Sequence, residues 1–219
     1  MKASNVFELV GELPNDFQLT NNRTTTTQTI NNVVEELTSQ LFVNEITVDN
    51  YTHCRIVLDE IVDIQARALN QNIEQIIVQN SYEVYFDNNN QNGKLICLTN
   101  KNVSERAKTL FQESFNLNYT KHVFDLDDII NNSSNVKGAK FKNLTIQTIN
   151  GSSLNGNRVN FTDIYDLMSQ NGELATVAVT YPFGVGEVSF SISHAGSIVL
   201  FSNLNDNEYI ALIEELIHL

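Results

Sequence analysis

The chain is poor in the residues that staple, break or anchor a fold: of its 219 residues two are cysteine, two are proline and none is tryptophan. A disulfide framework is therefore excluded as the organising principle. Cys54 falls in a helical pattern and Cys97 in mid-strand, and both read as small core residues. Neither has the neighbouring basic cluster that would create a reactive thiolate, and His53 points away from Cys54 on a helix. Long apolar runs are also missing. Runs such as Ile198–Phe201 are far too short to cross a bilayer, so no membrane partner is expected. Glu8 and Glu12 interrupt what would be the core of a signal peptide. The expectation is a cytoplasmic or otherwise intracellular protein, so Asn22-Arg23-Thr24 and Asn143-Leu144-Thr145 carry no glycan. Abundant asparagine and isoleucine, as in Asn88-Asn89-Asn90, point to an AT-rich genome, that of a low-GC bacterium, a phage or a large DNA virus.

Recognisable catalytic chemistry is equally scarce. His53, His122, His194 and His218 are scattered, with no H-x-x-x-H and no C-x-x-C, so no metal ligands are nominated. Asp125-Leu126-Asp127-Asp128 lacks the glycine turn and further ligand of a calcium loop and reads as a solvated helix start. Gly184-Val185-Gly186 has neither a third glycine nor a following Lys-Ser/Thr, which excludes a phosphate-binding loop. No G-x-S-x-G is present. The sequence nominates no catalytic residue, metal or cofactor.

What is present is a lopsided charge. The net charge is −13, and no lysine or arginine follows Arg158, whereas Asp163, Asp166, Glu173 and Glu187 do. The basic residues lie earlier. Lys94, Lys101, Arg106 and Lys108 are balanced by Glu83, Asp87, Glu105 and Glu113, and Lys137, Lys140 and Lys142 form one short tract around Phe141. These seven are the candidate nucleic-acid contacts. Net charge disfavours that use, because a phosphate backbone demands a basic surface.

The chain also repeats itself. Glu83-Val84-Tyr85-Phe86, a turn, and Gly93-Lys94-Leu95-Ile96-Cys97-Leu98-Thr99-Asn100 are echoed by Glu187-Val188-Ser189-Phe190, a turn, and Gly196-Ser197-Ile198-Val199-Leu200-Phe201-Ser202-Asn203. Each copy runs into an apolar-periodic helix, capped by Asn102 with Glu105 in the first and by Asn205 with Glu208 in the second. Around these copies, Ile30, Val33, Val34, Leu37 and Leu41 recur at helical spacing. Val57, Leu58, Ile61, Ile64 and Leu69 predict the longest helix, about 52–69, with Asp63 and Arg67 paired along it. Strands are expected at Phe42–Val48, Ile73–Gln79, Tyr82–Phe86, Leu95–Thr99 and around Leu144–Ile149. A long polar turn is expected over Asp87–Gly93. Phe161, Ile164, Leu167 and Met168 predict a short helix capped by Asn160 or Thr162 and stopped by Asn171-Gly172. Strands Leu174–Tyr181, Glu187–Ile192 and Ser197–Phe201 complete the reading.

The expected fold is α+β. An N-terminal segment (1–40) carries one helix, a first unit spans 41–117, a linker 118–142 and a second unit 143–219. Each unit reads strand, helix, three-strand antiparallel meander, helix, with the helices covering one sheet face. Duplicated units whose last strand opens with Gly93-Lys94-Leu95-Ile96 or Gly196-Ser197-Ile198-Val199 resemble the tandem saddle of the TATA-box-binding protein fold. That resemblance implies a pseudo-two-fold saddle with an open sheet face. Its DNA contacts are not carried over: the wedge position before the second turn holds Ser193, and the second unit lacks basic residues. The leading functional expectation is a non-catalytic interaction or regulatory protein whose acidic second unit, through Asp163, Asp166, Glu173 and Glu187, binds another protein of basic character. The alternatives are a TATA-binding-like nucleic-acid factor and an enzyme whose site is assembled from residues distant in sequence. Exposed edge strands leave room for a homodimer.

Overall fold

A computed structural model describes residues 1–48, 50–68, 71–87, 93–146 and 148–219. It corrects the fold expectation. Among the described residues there are twelve strands against four α-helices, and every strand pair with a resolved register is antiparallel. The chain is dominated by antiparallel sheet rather than by helix-covered α+β repeats. It divides into a nested unit, Glu8–Thr120, and a split unit made of Met1–Phe7 with Lys121–Leu219.

In the nested unit, two of the segments expected to be helical, 30–41 and 52–69, are strands as far as they are described. Ile30 to Leu41 forms the turn and second arm of a hairpin, β2 (Asn22–Ile30) with β3 (Val33–Val48). Asn31 and Asn32 take positive φ, 47° and 65°, which is the two-residue turn that matches strand twist and that asparagine tolerates best. The expected long helix is β4 (Tyr51–Ala68), paired with β5 (Gln71–Asp87) over almost its whole length. Helical spacing misleads there because the apolar residues also satisfy a period of two: Cys54, Ile56 and Leu58 are buried while Arg55 is exposed. The β-branched Ile56, Val57, Ile61, Val62 and Ile64 suit a pleated strand. The expected Asp63–Arg67 pair does not form; Asp63 instead accepts from Gln75 Nε2 at 3.0 Å across the ladder. The strands expected at Ile73–Gln79 and Tyr82–Phe86 are one continuous β5. Leu69 and residues 88–92 of the expected Asp87–Gly93 turn lie outside the described residues.

The order β2-β3-β4-β5-β6, with β6 at Lys94–Cys97, ends on Glu8 and Leu9 of β1 (Lys2–Leu9). Helix α1 (Lys101–Phe115) packs on one face through Val103, Ala107, Leu110 and Phe111. Its cap is Asn100, whose side chain accepts from the Val103 amide at 3.2 Å, rather than the expected Asn102. Phe111 stacks on Phe86 at 5.8 Å, and Phe17 bridges Phe86 and Phe115 at 5.5 and 5.6 Å.

The split unit orders Lys2–Phe7 of β1, then β12 (Ser197–Leu200), β11 (Gly186–Ser193), β10 (Glu173–Phe183), β8 (Asn135–Ile146) and β9 (Ile149–Asn155). The segment expected as a linker thus holds β7 (Tyr119–Lys121), the short helix α2 (Leu126–Asn132) and the start of β8. The loop expected at Ser152–Asn157 is largely β9. Helix α4 (Asp206–Ile217) has the expected capping box between Asn205 and Glu208 and buries Tyr209, Ile210, Leu212, Ile213 and Leu216. Tyr209 Oη lies 2.8 Å from Ser4 Oγ, and Tyr181 donates to Glu215 Oε1 at 2.9 Å.

Two outcomes follow. Truncating Phe111 to alanine removes a fully buried ring and should lower unfolding free energy by about 3–5 kcal/mol in a denaturant titration. Desolvation first, and the Glu215 acceptor second, push the Tyr181 hydroxyl up to about 12. A raised acid stabilises the fold only while protonated, so this contribution is complete below the ordinary tyrosine range near pH 10 and is lost as pH rises toward 12. Tyr181→Phe should therefore weaken the alkaline loss of stability in a pH series of thermal melts.

Candidate partner-docking surface

Helix α3 (Asp163–Asn171) is the anomaly of the split unit: none of its residues is buried. Local chemistry explains why it forms. Thr162 caps it, accepting from the Tyr165 amide at 3.3 Å, and Asp163 and Asp166 sit in the first turn, where the helix dipole favours negative charge. A 3-10 turn, Val159–Phe161, leads in, with Val159 as its buried anchor. The helix is tied down by few contacts. Tyr165 meets Phe141 edge-on at 5.3 Å, and Thr145 Oγ1 donates to the Asn171 carbonyl at 3.1 Å. At Gly172 the chain passes so close to β8 that a Cβ would stand 2.5 Å from Leu144 Cδ2 and 2.9 Å from the Lys142 carbonyl oxygen, so only glycine fits there.

The apolar side chains of this segment face outward. Phe161 is 79% exposed, Ile164 55% and Leu167 51%. Ile164 and Leu167, three residues apart within α3, lie on one side of it, and Phe161 precedes the Thr162 cap in the 3-10 turn. The sequence pattern of Phe161, Ile164, Leu167 and Met168 marks a short helix here without saying which way its apolar residues face. Asp163 and Asp166 stand beside Ile164 and Leu167 and are exposed. Tyr165 carries a hydroxyl whose ionisation is pushed up by desolvation and then by the negative charges of Asp127 and Asp166. That coupling brings Asp127 of α2 into the same electrostatic neighbourhood, a residue the sequence reading treated only as a helix start.

A cleft of about 540 Å³ lies in this unit, lined among others by Val123, Asp125, Asp127, Lys142, Glu173 and His194. Two of its walls, β8 and the start of β10, also pack against α3. His194 Nδ1 stands 3.2 Å from the Phe124 carbonyl oxygen; a carbonyl can only accept, so the ring donates there. Lys142 pairs with Glu173 at 3.1 Å, which holds the Glu173 carboxyl below its usual range. A candidate nucleic-acid contact and a candidate acidic-surface residue thus neutralise each other. Glu187, the fourth acidic candidate, lies at the other end of the β10–β11 hairpin, opposite Pro182, nine positions or ~30 Å along the strand from Glu173.

The remaining basic candidates do not converge on one stripe. Lys94 is buried and pairs with Glu8 at 2.8 Å. Lys108 pairs with Glu105 at 2.6 Å, and Arg106 donates to the Asp59 carbonyl at 3.0 Å beside Glu60. Lys101 is exposed at the start of α1. Lys137 and Lys140 are exposed on β8, with Lys137 Nζ 3.3 Å from Ser189 Oγ.

The reactive side chains are committed elsewhere. His53 has Nδ1 2.9 Å from Asn44 Nδ2 and Nε2 against Glu83, so both ring nitrogens are engaged. Burial pushes the Cys54 thiol up to about 12 and the Cys97 thiol higher still, against thiolate formation. Among the described residues no group of three or more histidine, cysteine or carboxylate side chains is placed to hold a metal ion. Among the described residues, no helix is long and apolar enough to cross a membrane. Compared with known proteins, the chain matches no family model and no curated protein.

If the α3 stripe is surplus to the core, removing it is cheap. Ile164→Ser with Leu167→Ser should shift unfolding free energy by less than about 1 kcal/mol, the sum of two ordinary surface changes. Ile213→Ala, in the buried face of α4, should cost about 2–5 kcal/mol by the same urea titration.

Proposed function

We propose that the protein is a non-catalytic interaction protein that docks another protein on the outward face of α3. The observation that carries this reading is the exposure of Ile164 and Leu167 on a helix that buries nothing, with Phe161 exposed in the 3-10 turn that leads into it. Contiguous exposed apolar side chains rimmed by charge are characteristic of binding surfaces, and anchors at i, i+3 and i+4 are how one helix is read by another surface. The rim chooses the partner. Asp163 and Asp166 are exposed beside Ile164 and Leu167 on α3, and no lysine or arginine follows Arg158 in the chain. The complementary occupant is an apolar face edged with lysine or arginine, whose approach the acidic field accelerates.

A synthetic amphipathic helix of leucine and lysine serves as a defined probe. Fluorescence anisotropy should show saturable binding that weakens steeply as salt rises and is lost in Leu167→Glu. A glutamate-for-lysine version of the peptide should not bind. Retention of the protein on duplex DNA at low salt, with no peptide binding, would replace this reading with a nucleic-acid one.

A further inference from the structure

The outer strand of the nested unit, β2, has features that edge strands in folded proteins usually avoid. It runs nine residues, Asn22–Ile30, pairs with β3 in an unbroken register, and shows no bulge. From Thr24 to Ile30 it contains no charge and no proline: Thr-Thr-Thr-Thr-Gln-Thr-Ile. Bulges, inward lysines, prolines and shortness are the devices that stop an edge from pairing with another chain, and β2 has none of them. The outer strand of the split unit differs: β9 carries Gly151, and its pairing with β8 shifts register between Lys142 and Ile146. The β2–β3 hairpin is also held firmly. Asn31 at its tip accepts from the Glu74 and Gln75 amides at 3.2 and 3.3 Å and donates to the Gln75 carbonyl at 2.8 Å.

The direction of the free backbone groups follows from the turn. Ile30 and Val33 close a two-residue loop, and the closing pair of such a hairpin exchanges both its hydrogen bonds. Alternation then turns Gln28, Thr26, Thr24 and Asn22 toward β3. Arg23, Thr25, Thr27 and Thr29 present their N–H and C=O groups outward, the Arg23 amide already donating to Asn22 Oδ1 at 2.6 Å.

We propose that β2 is a homodimer interface in which a second copy of this chain adds its own β2 antiparallel, centred on Thr26, so that Thr25 pairs with Thr27 of the other copy and Arg23 with Thr29. This register uses every outward group on both strands except the Arg23 amide, which the Asn22 side chain already holds. The uncharged threonines face one another, and cross-strand threonine pairs are favourable. The only charge in each strand, Arg23, lies opposite Thr29 and about 20 Å from its own counterpart, six residues along the ladder. A second copy satisfies this symmetry by construction, because a two-fold interface needs a self-complementary strand. The proposal is independent of the α3 surface, which belongs to the other unit.

The full chain should sediment as a dimer at tens of micromolar. Thr25→Pro should convert it to a monomer, because proline removes an outward N–H without touching the β3 ladder. Thr26→Cys should form an intermolecular disulfide under mild oxidation, since opposed Cα atoms of a non-hydrogen-bonded pair stand about 4.5 Å apart. Thr24→Cys should not, because its opposite residue is Gln28. The native Cys54 and Cys97 are buried and leave this readout clean. A monomer at 100 micromolar, a dimer that survives Thr25→Pro, or equal cross-linking of the two cysteine variants would each overturn the proposal. Should Thr25→Pro fail to fold, the contrast between the two cysteine variants still decides.

Discussion

The structure depends on one constraint: each unit closes its core by laying a single long helix on one sheet face. In the nested unit this is α1, with Phe111 stacked on Phe86 and Phe17 wedged beside both. In the split unit it is α4, whose Tyr209, Ile210, Leu212, Ile213 and Leu216 are buried. In each unit the helix covers a sheet face that carries buried apolar side chains. In the split unit the short α2 adds Leu126 and Ile129 to the core, whereas α3 adds no buried residue.

Helix α3 stands outside those contacts. A nine-residue helix is marginal in water without tertiary contacts. Here the Thr162 cap, the Phe141–Tyr165 contact and the close approach at Gly172 fix the helix in place without consuming its apolar stripe. Position is thereby separated from burial. The stripe is held in a defined orientation while its apolar surface stays in water, an arrangement whose hydration cost is recovered only when something covers it.

How much of this the sequence carried depends on the element. Helix α4 and its Asn205–Glu208 box were legible because a cap, an apolar stripe and a C-terminal limit agree. So were α3 and its Thr162 cap. The hairpin formed by Glu187–Phe190 and Ser197–Leu200 was legible from its repeat. Segments 30–41 and 52–69 were not, because strand pairing decides them, β3 with β2 and β4 and β4 with β3 and β5, and local spacing of apolar residues does not show those partners. The exposure of Phe161, Ile164 and Leu167 was also out of reach. Periodicity marks a stripe but cannot say which partner, if any, lies beneath it. The pairing of Lys142 with Glu173, some thirty positions apart in sequence, likewise needed the β8–β10 register.

The central claim is that α3 is held for a partner rather than for the core. Amide hydrogen exchange, measured with and without the leucine–lysine peptide, tests it most directly. The account predicts that α4 exchanges near the global unfolding limit, that α3 exchanges far faster in the free protein, and that the peptide slows α3 selectively. Protection of α3 equal to that of α4 in the free protein, or a peptide effect spread evenly over the chain, would contradict it.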